Sequence, residues 1–192
     1  MRSGTSVPGA EGLLAEICRH ALIEGDFVLS SGRRSPYYVD KYRFETRPEL
    51  LEVLGQRIAA VAREVEPQAA RLAAPELGAV ALAAAASLHS GLPFLIVRKR
   101  AKEYGTQNRL EGAFEAGERV CLVEDIVTSG GAAATAIAAL REAGLECASA
   151  VCVLDREEGG ADALARLGVR LRPLFRASEL ALGHKSAAKP LG

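Results

Sequence analysis

What this 192-residue sequence lacks narrows it first. Lys+Arg and Asp+Glu are equal at 24 each, so no net charge draws the chain to nucleic acid or to an anionic membrane surface, and neither is expected as a partner. Its four cysteines, Cys18, Cys121, Cys147 and Cys152, form no C-x-x-C pair. Cys121 and Cys152 lie inside apolar runs, so all four are expected as reduced core thiols rather than disulfides or metal ligands. The most apolar stretch, around residues 79–86, is too short and alanine-rich to span a bilayer. Residues 1–12 are small, polar and glycine-rich with no apolar signal region, which points to the cytoplasm. His20 and His89 fall within helical runs and His184 near the end, so no histidine is placed for catalysis, and no protein nucleophile is evident.

What is present is alanine and alternation. Small side chains dominate the hydrophobic residues, which implies a core of closely packed methyl groups. Apolar positions Leu13, Leu14, Ile17, Ala21 and Leu22 recur at helical spacing over 11–24. Two short strands are expected at 27–31 and 37–40, around the turn Ser-Gly-Arg-Arg-Ser-Pro. Pro48 opens a helix whose stripe is Leu50, Leu51, Leu54, Ile58 and Val61. After Pro67, short unalternated apolar runs (71–74, 94–97, 120–123, 148–154, 169–174) alternate with helical runs (79–90, 132–143, 161–167). Strand followed by helix, repeated, predicts an α/β fold with a mostly parallel sheet covered on both faces. The chain therefore divides into a disordered start (1–10), an N-terminal helix and hood (11–66), a core (67–182) and a flexible tail (183–192).

One segment breaks the rhythm. Residues 98–112, RKRAKEYGTQNRLEG, are polar, basic and without an apolar stripe, as a mobile loop over a site would be. The chemistry concentrates in 120–134, VCLVEDIVTSGGAAA. Here an apolar strand ends in two carboxylates, Glu124 and Asp125, and passes through Ile126 and Val127 to Thr128, Ser129, Gly130, Gly131 and Ala132 at the start of a helix. Glycines let backbone N–H groups converge on an anion, and the helix N-terminus adds about half a positive charge. Two carboxylates beside a phosphate cradle would repel it unless they face another part of the same ligand. A sugar 5-phosphate satisfies this, with its phosphate in the cradle and its hydroxyls on Glu124 and Asp125. There is no Lys after Gly131, so this is no Walker A loop, and no G-x-G-x-x-G fingerprint is present.

VCLVEDIVTSGG resembles the signature with which type I phosphoribosyltransferases bind phosphoribosyl pyrophosphate (PRPP). FVLSSGRRSPYYVD (27–40) is similar to the hood of the orotate phosphoribosyltransferases, 98–112 to their mobile catalytic loop, and Leu154-Asp155-Arg156-Glu157 to their base-binding segment. The resemblance spans about residues 11–180. It implies a type I fold and transfer of the phosphoribosyl group to orotate in pyrimidine biosynthesis. It also implies Lys102, Glu124 and Asp125 as catalytic residues. Arg98, Lys99, Lys102 and Tyr104 join residues 124–132 in PRPP binding. Pro75, Glu76, Leu77 and Gly78 make a pyrophosphate turn, and Tyr37, Tyr38, Thr128 and Arg156 hold the base. Mg²⁺ is implied as the cofactor, carried mainly by substrate rather than by protein ligands. A homodimer sharing the 98–112 loop is implied as well. Ser30, Leu77 and Tyr104 depart from the Lys, Lys and His that many relatives carry there, which removes two cations. Two other readings stay open at this point: a different base, or a PRPP-sensing regulator without catalysis.

Overall fold

The computed structural model describes residues 10–28, 32, 34–99 and 109–180. The chain starts with α1 (Ala10–Ala21), whose Leu13, Leu14, Ile17 and Ala21 are buried as their spacing predicts. The helix ends three residues earlier than expected, because Leu22 already pairs with Val39. β1 (Leu22–Val28) and β2 (Arg34–Val39) form an antiparallel hairpin of their own, longer than the two short strands predicted. α2 (Tyr42–Glu45) is a single turn locked down by the fully buried Phe44. Burying a ring of that size contributes about 1.5–3 kcal/mol. α3 (Pro48–Val65) starts at its proline and buries Leu50, Leu54, Ile58, Ala62 and Val65.

The core is a six-stranded sheet. Its strands are β3 (Arg71–Pro75), β4 (Phe94–Val97), β5 (Leu110–Glu111), β6 (Arg119–Val127), β7 (Glu146–Asp155) and β8 (Arg170–Arg176). In space they run β5-β4-β3-β6-β7-β8, and all are parallel except β5. The helices α4 (Gly78–Ser90), α5 (Gly131–Glu142) and α6 (Gly160–Arg166) follow β3, β6 and β7. The central strands β3, β6 and β7 are buried along most of their length, as their unbroken apolar runs require. One apolar cluster lies under α1, α3 and α4, and a second under α5 and α6. All four cysteines are buried and free.

β5 is the one core strand absent from the sequence reading. Leu110 and Glu111 pair antiparallel with Val97 and Ile96, so the polar 98–112 segment ends in a strand rather than a loop. Its middle, together with Ser30 and the 183–192 tail, lies outside the described residues.

The strand order fixes where a ligand can sit. After β3 the chain moves outward to β4, whereas after β6 it moves the opposite way to β7. The loops leaving β3 and β6 therefore diverge from neighbouring strand ends and open a crevice between them, where open α/β sheets bind ligands.

Candidate active site

Both diverging loops carry predicted site residues. The turn after β3 is Pro75-Glu76-Leu77-Gly78, with the Glu76–Leu77 peptide bond cis, and it leads into α4. The loop after β6 is Thr128-Ser129-Gly130, leading into α5. Gly130 has φ +82, a left-handed conformation that a side chain would strain, and its carbonyl accepts the Ala134 N–H at 2.8 Å to start the helix. Ser129, Gly131 and Ala132 are exposed and Thr128 half-buried, so the free N–H groups of the α5 N-terminus face solvent.

Behind this loop stands a second glycine. A Cβ on Gly160 would lie 2.4 Å from Val127 Cγ1, 2.5 Å from the Thr128 carbonyl oxygen and 3.2 Å from the Gly130 nitrogen. The start of α6 thus rests directly on the backbone of the cradle, and no residue larger than glycine fits between them. Nothing in the sequence around Gly160 signals that approach.

A cleft of about 270 Å³ runs between the two loops. Pro75 and Glu76 line it on one side, Gly131 and Ala132 on the other, and Arg98, Lys99 and Arg109 at the end of β4. The structure thus gathers six predicted residues around one space. Arg98 is already engaged, 3.3 Å from Glu111 and 3.9 Å from Glu76, and the Lys99 backbone N–H donates to Glu76 Oε1 at 2.7 Å. Glu76 therefore ties the β3 turn to the root of the basic segment. Lys102 and Tyr104 lie outside the described residues.

Glu124 and Asp125 are both about 5% exposed, at the buried end of β6 rather than in the loop beyond it. The Asp125 Oδ2 accepts a hydrogen bond from Lys41 Nζ at 2.6 Å, across 84 residues of sequence. Burial, reinforced by the Asp125 charge, pushes the Glu124 carboxyl up to about 8. Burial and Asp125 likewise push Glu45 up to about 8, and Glu45 Oε1 is buried without a hydrogen bond. Burial works to lower the Lys41 ammonium, but the hydrogen bond and charge of Asp125 outweigh it and the net shift is upward. Three buried carboxyls and one partly exposed ammonium are thus grouped where β6 ends and α4 begins. Lys41 and Glu45 were missed in the sequence, where a lysine next to a tyrosine in a turn carries no signal of a partner so far along the chain.

The base-binding candidates meet on the other side of the cradle. Val127 pairs with Asp155, and the Arg156 N–H donates to the Val127 carbonyl at 2.8 Å, so the strand end that leads into the glycine loop and the Leu154–Arg156 segment are one hydrogen-bonded unit. The Arg156 guanidinium lies 4.8 Å over the Tyr37 ring centre. Its ion-pair partner is Glu158, at 3.4 Å. Both side chains of that pair are more than nine-tenths buried, and the Arg156 Nε is buried without a hydrogen bond. Tyr38 points elsewhere, exposed, with its ring 5.7 Å from that of Phe27. Of the two tyrosines, Tyr37 alone contacts Arg156 among the described residues.

Among the described residues no group of three His, Cys, Asp or Glu is gathered to hold a metal, and no helix is long and apolar enough to cross a membrane.

Comparison with known proteins agrees with this geometry. The family model for the phosphoribosyl transferase domain matches residues 54–166, which take in both loops and the acidic pair. The orotate phosphoribosyltransferase of Methanocella arvoryzae is 53% identical over 161 residues, covering 84% of this chain and 90% of the relative. That of Halobacterium salinarum is 49% identical over 156 residues, covering 81% and 87%. The crystal structure of Mycobacterium tuberculosis H37Rv orotate phosphoribosyltransferase in complex with PRPP superposes with a TM-score of 0.72 at 30% identity, covering 90% of this chain and 99% of that one. A parallel sheet with its acidic pair and glycine cradle at the switch point, and likeness of this extent, have one explanation: the chain belongs to the orotate phosphoribosyltransferases, a branch of the phosphoribosyltransferase family.

Proposed function

We propose that the crevice between the β3 and β6 loops binds PRPP and transfers its 5-phosphoribosyl group to orotate, giving orotidine 5-phosphate and pyrophosphate on the route to UMP. The observation that carries this reading is the junction at Val127. There the phosphate cradle is hydrogen-bonded to the segment holding a buried Arg156 stacked on Tyr37. A planar ring bearing a carboxylate suits a planar guanidinium with donor capacity to spare.

In this reading the 5-phosphate sits on the N–H groups and hydroxyls of 128–132, and the ribose hydroxyls meet Glu124 and Asp125. Orotate, held by Arg156, Tyr37 and Thr128, attacks the anomeric carbon through its ring nitrogen. The new C–N bond forms as the C–O bond to pyrophosphate breaks, with inversion. Positive charge grows on the ribose, which ionised Glu124 and Asp125 stabilise, and negative charge grows on the leaving oxygen. Lys102, with Arg98 and Lys99, answers that charge when the 98–112 segment covers the site and excludes water. The turn at 75–78 offers backbone N–H groups and the α4 N-terminus to the pyrophosphate.

The donor set fits Mg²⁺ as an ion borne by substrate. Glu124 and Asp125 are oxygen donors, but one Asp125 oxygen is occupied by Lys41 at 2.6 Å. Those two carboxylates would hold it from the ribose side, and when bound it would supply positive charge against the pyrophosphate. A homodimer sharing the 98–112 segment and a cytoplasmic setting complete the proposal, both supported by likeness to the family.

The test is pyrophosphate release from PRPP and Mg²⁺ with a panel of bases. Turnover with orotate and not with hypoxanthine, adenine or uracil is expected, and the reverse would displace orotate as substrate. Lys102→Ala should cut turnover by orders of magnitude while PRPP still binds; unchanged turnover would remove Lys102 from the chemistry.

A further inference from the structure

The turn from Pro75 to Gly78 faces the pyrophosphate in this reading, yet its side chains are ill-suited to it. Glu76 is an acid, and Leu77 is 70% exposed and apolar. Arg98, at the end of the neighbouring β4, lies 3.9 Å from Glu76 and 3.3 Å from Glu111, which offset part of its charge. A cation does reach the turn, from a different part of the chain. A Cβ on Gly78 would lie 2.6 Å from Lys41 Nζ and against Asp125 Oδ2, so the Lys41 ammonium is seated on the first residue of α4. Replacing glycine there would evict it.

Lys41 is also held there firmly. Its carbonyl accepts the N–H groups of Phe44 at 3.1 Å and Glu45 at 3.0 Å, and the fully buried Phe44 anchors that turn to the core. The neighbouring Asp40 N–H donates to the Ala21 carbonyl at the end of α1. The ammonium carries three protons. One goes to Asp125, and the side chain remains about a third exposed (31%), so donors are left for a ligand beside Gly78. A group that only neutralised Asp125 would have no need to sit on the α4 N-terminus, where the helix already favours an anion.

We propose that Lys41 is a further PRPP-binding residue, whose ammonium bridges Asp125 and the pyrophosphate of PRPP over the Gly78 end of the β3 turn. The proposal rests on the reading of the crevice as a PRPP site. The task of Lys41 is to bring to the turn a positive charge that the turn's own side chains lack, with Asp125 holding the ammonium in place.

Two ligands isolate that task. Orotidine 5-phosphate carries the ribose and phosphate but no pyrophosphate; inorganic pyrophosphate with Mg²⁺ carries only the other half. Affinities for both, and KM for PRPP, are to be measured for wild type, Lys41→Met and Lys41→Arg. Lys41→Met should weaken pyrophosphate binding and raise the PRPP KM by about tenfold or more, the scale of a lost charge-assisted hydrogen bond. Orotidine 5-phosphate affinity should stay within about threefold, and Lys41→Arg should recover most of the loss. A parallel fall in orotidine 5-phosphate affinity, or no change for pyrophosphate, overturns the proposal. Asp125→Asn gives an independent reading that leaves the lysine in place, whether or not Lys41→Met folds. It should retain pyrophosphate affinity while weakening orotidine 5-phosphate, and loss of pyrophosphate binding in it would place the interaction on Asp125 instead. If wild type released no pyrophosphate from PRPP with any base, the functional reading would fail, yet direct pyrophosphate titration would still report on Lys41.

Discussion

Gly160→Ala should disable the phosphate cradle from behind. The added methyl would stand 2.4 Å from Val127 Cγ1 and 2.5 Å from the Thr128 carbonyl oxygen, against a comfortable separation of roughly 3.5 Å. About 1 Å must therefore be found. Two of the three nearest atoms, the Thr128 oxygen and the Gly130 nitrogen, belong to the backbone and cannot rotate away. Either α6 lifts or the cradle shifts, and overpacking of this kind costs about 1–3 kcal/mol. A displacement of about 1 Å in a group that positions substrate lowers the rate by about 10²-fold. Urea unfolding reads the first quantity, and kcat/KM for PRPP reads the second. Gly168→Ala is the control: its φ of +71 makes the substitution strained, but nothing lies within 4 Å. It should lose about 1–2 kcal/mol of stability with PRPP kinetics unchanged. Gly160→Ala with normal kcat/KM for PRPP, or an equal kinetic loss in Gly168→Ala, would refute the claim that α6 braces the phosphate site.

Other outcomes follow from the buried charges and the core. Glu124 and Glu45, each raised by burial to about 8 from an ordinary 4.5, hold protons in the folded state that the unfolded chain releases. The ligand-free protein should therefore lose stability as pH rises from about 4.5 to 8 and level off beyond, which thermal melts across that range would show. PRPP hydroxyls favour the ionised carboxylates, so PRPP should bind more tightly as pH approaches 8 and release protons on binding, measurable by calorimetry in buffers of different ionisation heat; proton uptake would reverse this account. Arg156→Ala should raise the orotate KM by about 10²-fold and the PRPP KM far less; an equal effect on both would detach Arg156 from the base. Phe44→Ala should cost about 3–5 kcal/mol in unfolding experiments, because the ring is wholly buried beneath the turn that carries Lys41.

The parallel sheet was legible because its central strands are covered on both faces, so Leu72–Ala74 and Val120–Val123 had to be continuously apolar. The cradle was legible because a phosphate loop is local: strand, glycine pair and helix start lie within about a dozen residues. Strand ends were read short where polar residues pair in the ladder, as Glu124 and Asp155 do. β5 was missed because two residues hold too little pattern to register. The Lys41–Asp125 pair and the Gly160 approach were beyond reach for a different reason: each is set by which turns the topology brings together, and neither leaves a periodic or compositional trace. Arg156 was proposed through resemblance alone, since a basic residue flanked by acids reads equally well as an exposed ion pair, and its burial against Tyr37 leaves no sequence trace.

The alanines of α4 have a consequence for how its turn behaves. A Cβ on Gly55 of α3 would fall 2.6 Å from Ala85 Cβ and 2.8 Å from the Ala85 carbonyl carbon, so the two helices touch almost main chain to main chain. Methyl groups have no rotamers to lose, and little remains to be trimmed from such a seam. Its sensitivity is one-sided: cavities hardly arise, whereas one extra carbon acts as a wedge. Ala85 lies seven residues from Gly78, about 10 Å along the helix axis, and a wedge there would tilt a stiff rod whose far end bears the 75–78 turn. The spacing of these two helix backbones is thus set by a single hydrogen at position 55, and the turn at the head of α4 inherits it.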